Sequence, residues 1–95
     1  MTKVTLKKER GRRRIEVAGH AGDSLVCSAA SMLTCTLAEA LMRQGAECSL
    51  ETADGNAVIL VENTNREAEL TINVIMAGFE LLGENFPQNV EVINE

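Results

Sequence analysis

The chain has a single histidine and three cysteines, and the histidine lies close in sequence to one of the thiols. His20 precedes Cys27 by seven residues. A thiolate is a strong nucleophile, and a neighbouring imidazole can accept the thiol proton and later protonate a departing amine. The two residues are therefore a candidate His–Cys dyad for acyl transfer. The same residue types are also compatible with a small packed thiol and a surface histidine.

The residues before His20 have the alternation of half-buried strands. Apolar and polar side chains alternate over residues 4–7 and again over residues 15–18, which predicts two strands. The polar segment 8–13 between them contains Gly11 and predicts the turn of a hairpin. His20 then follows the end of the second strand.

A helix is predicted from Ser24 to Gln44, where apolar residues recur every three or four positions. Asp23 is suited to cap its first turn, and Gly45 is suited to the position just after its end. Cys27 would then lie in the first turn, where unpaired amides and the helix dipole favour a thiolate and could bind an oxyanion. The helix face predicted to be buried comprises Leu25, Ala29, Met32 or Leu33, Thr36 or Leu37, and Ala40 or Leu41.

The second half of the chain repeats the arrangement of a hairpin followed by a helix. Asp54-Gly55-Asn56 predicts a turn between strands near 48–52 and 57–61. A helix over Arg66 to Asn85 ends before Pro87, and a short strand follows at 90–94. The predicted order is ββαββαβ, an α+β two-layer domain over residues 1–95 with a mostly antiparallel sheet and two helices packed on it.

Two literal segments resemble the signature of the ribosomal-processing cysteine protease family Prp. The first is Gly19-His20-Ala21 at the end of the first hairpin, and the second is the helix start from Asp23 to Ser31. The family signature has Gly-His-Ala, then a loop, then Asp-Ile-Val-Cys-Ala-Ala-Val-Ser. The opening strand, the segment Glu84-Asn85-Phe86-Pro87 and the final valine-rich strand are also similar to the family.

The resemblance implies a role for each matching residue. Cys27 is implied to be the nucleophile, and His20 the general base and acid. Gly19, Asp23 and Ser31 are implied to support the site. Asp23 is equally explained as a helix cap, and Ser31 as a helical serine bonded to its own turn.

The resemblance also implies a cytoplasmic homodimer that removes an N-terminal extension from large-subunit ribosomal protein twenty-seven. Only Gly22 separates Ala21 from Asp23, whereas the family has a longer loop that gates the substrate cleft. A different maturation substrate, such as a phage head protein, is therefore an alternative, as is a module with the same fold that binds peptides without cutting them.

Composition and charge bear on whether the protein binds nucleic acid, a membrane or a metal. The net charge is −5, but residues 1–18 carry seven basic and two acidic side chains. This basic hairpin is interpreted as a solvated turn, with RNA binding the alternative, and aromatic residues for base stacking are absent from it.

The chain has no apparent secretory signal and no run of 18–20 apolar residues, so no membrane association is expected. No cofactor, metal or direct nucleic-acid partner is predicted, and Cys35 and Cys48, like Met32, Met42 and Met76, are expected to be packing residues.

Overall fold

The computed structural model describes residues 1–95 as five strands and two helices. Their bounds are β1 Thr2–Glu9, β2 Arg12–Ala18, α1 Ser24–Arg43, β3 Glu47–Ala53, β4 Asn56–Glu62, α2 Arg66–Asn85 and β5 Val90–Asn94. The predicted order ββαββαβ and the α+β fold class are confirmed.

The five strands form one mixed sheet in the order β3-β4-β2-β1-β5. The pairs β1–β2, β2–β4 and β3–β4 are antiparallel, whereas β1 and β5 are parallel. A parallel neighbour needs a long crossover, and the chain between β1 and β5 includes both helices. The two helices contact each other. The end of β2 and the β3–β4 hairpin lie beside the first turns of α1, at one end of the sheet.

The hydrophobic core lies between the sheet and the two helices and contains 17 buried residues. Phe79 of α2, Leu37 of α1 and Ile15 of β2 are among its largest fully buried members. These side chains come from the sheet and from both helices and belong to one buried cluster, which holds α1 against the sheet.

The predicted buried face of α1 is partly wrong. Leu25 and Met32 are 80% and 67% exposed, and the buried residues are Val26, Ala30, Thr34, Leu37, Ala38 and Leu41. The helix is apolar on most sides, so residues spaced by three and four define two adjacent stripes, and tertiary packing selects between them. Met42 is also exposed, whereas Met76 is buried as predicted. In α2, Leu70 and Val74 are exposed, and the buried residues are Ala68, Ile72, Ile75, Met76 and Phe79.

Helix α1 is long and apolar enough, by length and composition alone, to cross a membrane. It has 20 residues, and its most apolar 18-residue window has a mean hydropathy of 1.6. A third of that window is buried inside the fold, and the buried side chains belong to the core. Helices in the cores of water-soluble proteins have the same composition.

Both hairpins close with tight two-residue turns. The first turn is Arg10-Gly11, shorter than the predicted segment 8–13, because β1 and β2 continue to Glu9 and Arg12. The second is Asp54-Gly55. Gly11 and Gly55 have φ of +71° and +70°, a backbone region that glycine enters without steric cost.

Several basic side chains of the first hairpin are paired with carboxylates of the same molecule. Arg12 bonds Glu62 at 2.9 Å, and that hydrogen bond, with the charge of Glu62, raises the pKa of Arg12 above its ordinary value. Arg13 bonds Glu69 of α2 at 2.6 Å with both groups partly buried. These contacts favour the interpretation of a solvated hairpin.

Candidate active site

A cleft of about 270 Å³ opens between the first three turns of α1 and the sheet end formed by β2 and the β3–β4 hairpin. His20 and Cys27 both line it, as do Gly19 and Ser31. Asp23 is the one predicted site residue that does not line the cleft. The fold therefore brings four of the five predicted residues to one concave surface.

Cys27 lies in the first turn of α1, half-buried, with its sulfur directed at the preceding segment. The backbone N–H of Ala21 donates to Cys27 Sγ at 3.3 Å. A hydrogen bond to sulfur stabilises the charged form more than the neutral one, because the thiolate is the stronger acceptor. The main chain thus provides a donor to the sulfur of the candidate nucleophile.

Asp23 caps α1, as predicted. It has an extended backbone with φ −140°, and its Oδ1 accepts from the amides of Leu25 and Val26 at 2.9 and 3.2 Å. The amide of Cys27 donates to the Asp23 carbonyl at 2.9 Å. The amides of Leu25, Val26 and Cys27 are therefore occupied, and of the first-turn amides predicted to bind an oxyanion only that of Ser24 is without such a bond.

The imidazole of His20 lies against the β3–β4 turn. Its side chain is 70% exposed, and Nε2 lies 3.8 Å from Asp54 Oδ1. The ring also packs against Gly55, where an added Cβ would lie 2.9 Å from Nε2. No hydrogen bond joins the ring to Cys27 Sγ, whose donor is Ala21. The two side chains share the cleft, and a proton transfer between them requires rotation of the exposed ring or an intervening water.

The backbone that carries His20 is held on two sides. The Gly19 amide donates to the Gly55 carbonyl at 2.6 Å, and Thr2 Oγ1 donates to the Gly19 carbonyl at 3.0 Å. Gly19 has φ +88°, and the Met1 carbonyl occupies the space a Cβ would need. The absence of a side chain at Gly19 therefore allows a close approach of the Met1 carbonyl, just before β1.

Asn89 is a site residue that the sequence analysis missed. Its Nδ2 donates to the Ala21 carbonyl at 2.7 Å, and its own carbonyl accepts from the Thr2 amide at 2.8 Å. The contact fixes the peptide unit next to the one whose N–H reaches Cys27 Sγ. No local pattern could have indicated it, since 68 residues separate Asn89 from Ala21.

The prediction that Cys35 is a buried thiol is wrong. Cys35 is exposed and lines the cleft two helical turns after Cys27. Cys35 lies on neither the predicted nor the observed buried stripe of α1, so the apolar residues around it in sequence did not predict its burial. Cys48 is half-buried and packs against the core, and all three thiols are free. No three His, Cys, Asp or Glu side chains lie close enough together to hold a metal ion.

Comparison with known proteins relates both the sequence and the fold to proteases. The family model described as cysteine protease Prp matches residues 1–91. No curated protein matches the sequence in a direct search.

Three solved structures have similar folds. An essential ribosomal processing protease Prp from Staphylococcus aureus, in complex with a covalently linked product peptide, is 20% identical with a TM-score of 0.88, over 100% of both chains. The same protease in complex with a substrate peptide is 16% identical with a TM-score of 0.82, again over 100% of both chains. SMU.848 from Streptococcus mutans is 22% identical with a TM-score of 0.75, over 100% of this chain and 96% of that one.

Proposed function

The chain belongs to the cysteine protease Prp family, and from that membership we propose that it cuts peptide bonds with Cys27 as nucleophile and His20 as general base and acid. The observation that carries the proposal is the shared cleft, which the thiol and the only imidazole of the chain both line. The amide of Ala21 at 3.3 Å from Sγ supports it, because that contact directs the sulfur toward the segment that carries His20.

In the proposed reaction His20 first accepts the proton of the Cys27 thiol. The thiolate attacks the carbonyl carbon of the scissile bond, and the C–N bond breaks as the imidazolium protonates the leaving amine. A thioester to the N-terminal fragment remains on Cys27. Water then attacks the thioester while His20 takes its proton, and that proton returns to the sulfur as the acid product leaves.

The proposed substrate is an N-terminal extension of large-subunit ribosomal protein twenty-seven. The Staphylococcus aureus proteins of this fold are described as a ribosomal processing protease with a substrate or product peptide. A net charge of −5 suits a basic ribosomal protein as partner. The single residue Gly22 between Ala21 and Asp23 is too short for a lid, so another maturation substrate, such as a phage head protein, is the alternative.

The test mixes the purified protein with an N-terminally extended form of that ribosomal protein and follows intact mass. We expect loss of the extension with the wild type, and no cleavage by Cys27→Ala or His20→Ala. Cys35→Ala is the matched control, since it removes an exposed thiol from the same helix and cleft. Cleavage that persists in Cys27→Ala would contradict the proposal.

A non-catalytic peptide-binding module is the second candidate. It is favoured by the imidazole, which contacts the β3–β4 turn and not the sulfur. This candidate predicts that the extended ribosomal protein binds with unchanged mass, and that Cys27→Ala binds it equally well. Turnover of substrate by the wild type would exclude it.

We also propose that the protein is a cytoplasmic homodimer. Three free thiols suit a reducing compartment. An open apolar groove of about 500 Å³ lies between α1 and α2, and Met32, Leu81 and Phe86 in it are 67%, 59% and 42% exposed. Apolar patches of this kind are commonly covered by another subunit. Sedimentation should give a dimer mass that Met32→Lys converts to monomer, and a monomeric wild type would contradict this.

A further inference from the structure

We infer that the β3–β4 turn positions the imidazole of His20, and that Gly55 is the positioning residue. The inference rests on the proposed function, because it assumes that His20 accepts the proton of Cys27. It adds a residue of the β3–β4 turn to the pair His20 and Cys27, which follow β2 and begin α1.

Two contacts fix the ring and its backbone on the same turn. The Gly19 amide, next in the chain to His20, donates to the Gly55 carbonyl at 2.6 Å. The ring itself lies over the Gly55 α-carbon, and a Cβ there would come within 2.9 Å of Nε2 and 3.4 Å of Cδ2. A side chain at position 55 would therefore displace the ring by several tenths of an ångström while the backbone hydrogen bond remains possible.

The contact with the turn is made by the Nε2 side of the ring. Nε2 faces the turn, with Asp54 Oδ1 at 3.8 Å. At 3.8 Å Nε2 makes no hydrogen bond, so the turn places the ring by contact and does not decide which nitrogen accepts the proton of the Cys27 thiol. Asp54 and His20 are both highly exposed, so their ion pair is weak, and Gly55 has the larger effect on the ring.

The chain contains a matched control for this residue. Gly11 lies in the turn of the other hairpin with φ +71°, against +70° for Gly55, and no atom comes within 4 Å of the position its Cβ would occupy. Alanine costs the same backbone strain at both positions, but it meets the imidazole only at position 55. The difference between the two variants therefore isolates the contact with His20.

The experiment compares the alkylation of Cys27 and Cys35 by iodoacetamide near neutral pH, resolved by peptide mass, in Gly55→Ala, Gly11→Ala and His20→Ala. Cys35 is an internal reference because it is exposed on the same helix. The quantity measured is the alkylation rate of Cys27 relative to that of Cys35, which falls when the base is removed or displaced. We expect a loss on the order of tenfold in Gly55→Ala and no loss in Gly11→Ala.

A second pair of variants guards against failure to fold. Asparagine tolerates positive φ better than alanine, so Gly55→Asn keeps the turn while still adding a Cβ, and Gly11→Asn is its control. The single histidine gives one set of ring signals, and we expect Gly55→Asn, but not Gly11→Asn, to change their chemical shifts.

Each outcome has a separate meaning. If His20→Ala leaves the ratio of Cys27 to Cys35 unchanged, the proposed dyad fails, and this inference fails with it. If His20→Ala lowers the ratio but both Gly55 variants match their Gly11 counterparts, only the positioning role is overturned. A higher ratio in the Gly55 variants would also overturn it, because the turn would then be holding the ring away from the sulfur.

Discussion

Replacing Asp23 separates its role as a helix cap from a direct role in chemistry. Its Oδ1 accepts two backbone hydrogen bonds, from Leu25 and Val26, and the first turn of α1 has no other acidic residue to interact with the helix dipole. Loss of a cap costs about 1 kcal/mol, and loss of the charge adds about 0.5 kcal/mol. We therefore expect Asp23→Ala to lower the free energy of unfolding by about 1.5 kcal/mol.

The isosteric variant Asp23→Asn keeps the acceptor oxygen and loses only the charge. Its expected cost is about 0.5 kcal/mol. For a domain of this length these values correspond to falls in Tm of about 8 °C for Asp23→Ala and about 3 °C for Asp23→Asn. Thermal unfolding followed by circular dichroism measures both.

Activity then decides between the two roles. If Asp23 acts only as a cap, Asp23→Asn retains cleavage and Cys27 alkylation within about twofold, because the first turn that carries Cys27 stays formed. The assay is run well below both Tm values, so that folded enzyme is compared. A loss on the order of a hundredfold in Asp23→Asn, with the small fall in Tm unchanged, would refute the reasoning and assign the carboxylate to the chemistry.

Three further variants test the packing and the backbone of the site. Phe79→Ala empties a fully buried position and should cost about 4 kcal/mol in urea unfolding; a cost below about 1 kcal/mol would contradict the described core. Asn89→Ala removes the hydrogen bond to the Ala21 carbonyl. It should lower the free energy of unfolding by about 1 kcal/mol and slow the alkylation of Cys27. An unchanged alkylation rate would show that the segment around Ala21 is held without this bond. Arg13→Met breaks the partly buried ion pair to α2 and should lower the free energy of unfolding by about 1 kcal/mol. Cleavage well below Tm should not change, and a specific loss of activity would connect the basic hairpin to function.

The element order could be predicted because its signals are local. Asp23 caps α1, Gly45 follows its end with φ +74°, and Pro87 comes just after α2. Each of these residues acts on its own turn of backbone, so it can be recognised without knowledge of the rest of the molecule. Likewise, apolar and polar residues alternate along a strand because one face of the sheet is covered, and this pattern can be read from the strand alone.

The buried face of α1 could not be predicted by the same means. Apolar residues surround most of that helix, and the spacing predicted Leu25 on the buried face, yet Leu25 is 80% exposed and its neighbour Val26 is 1% exposed. Packing against the sheet and α2 decides which side of α1 is buried.

The pair of candidate catalytic residues was visible in the sequence, but their surroundings were not. His20 and Cys27 are near neighbours in the chain and fall on adjoining elements. By contrast, Gly55 and Asn89 reach the site through the strand order of the sheet. Long-range contacts of this kind have no periodicity of their own, and only the folded structure shows them.

The most direct measurement of the central claim is a search for the acyl-enzyme. The protein is mixed with the N-terminally extended ribosomal protein, quenched with acid within the first turnover, and digested for peptide mass analysis. We expect the N-terminal extension (the leader) to be attached to Cys27 as a thioester. We expect less of this adduct to accumulate in His20→Ala. A leader found on Cys35, or cleavage with no adduct that continues in Cys27→Ala, would contradict the assignment of Cys27 as nucleophile.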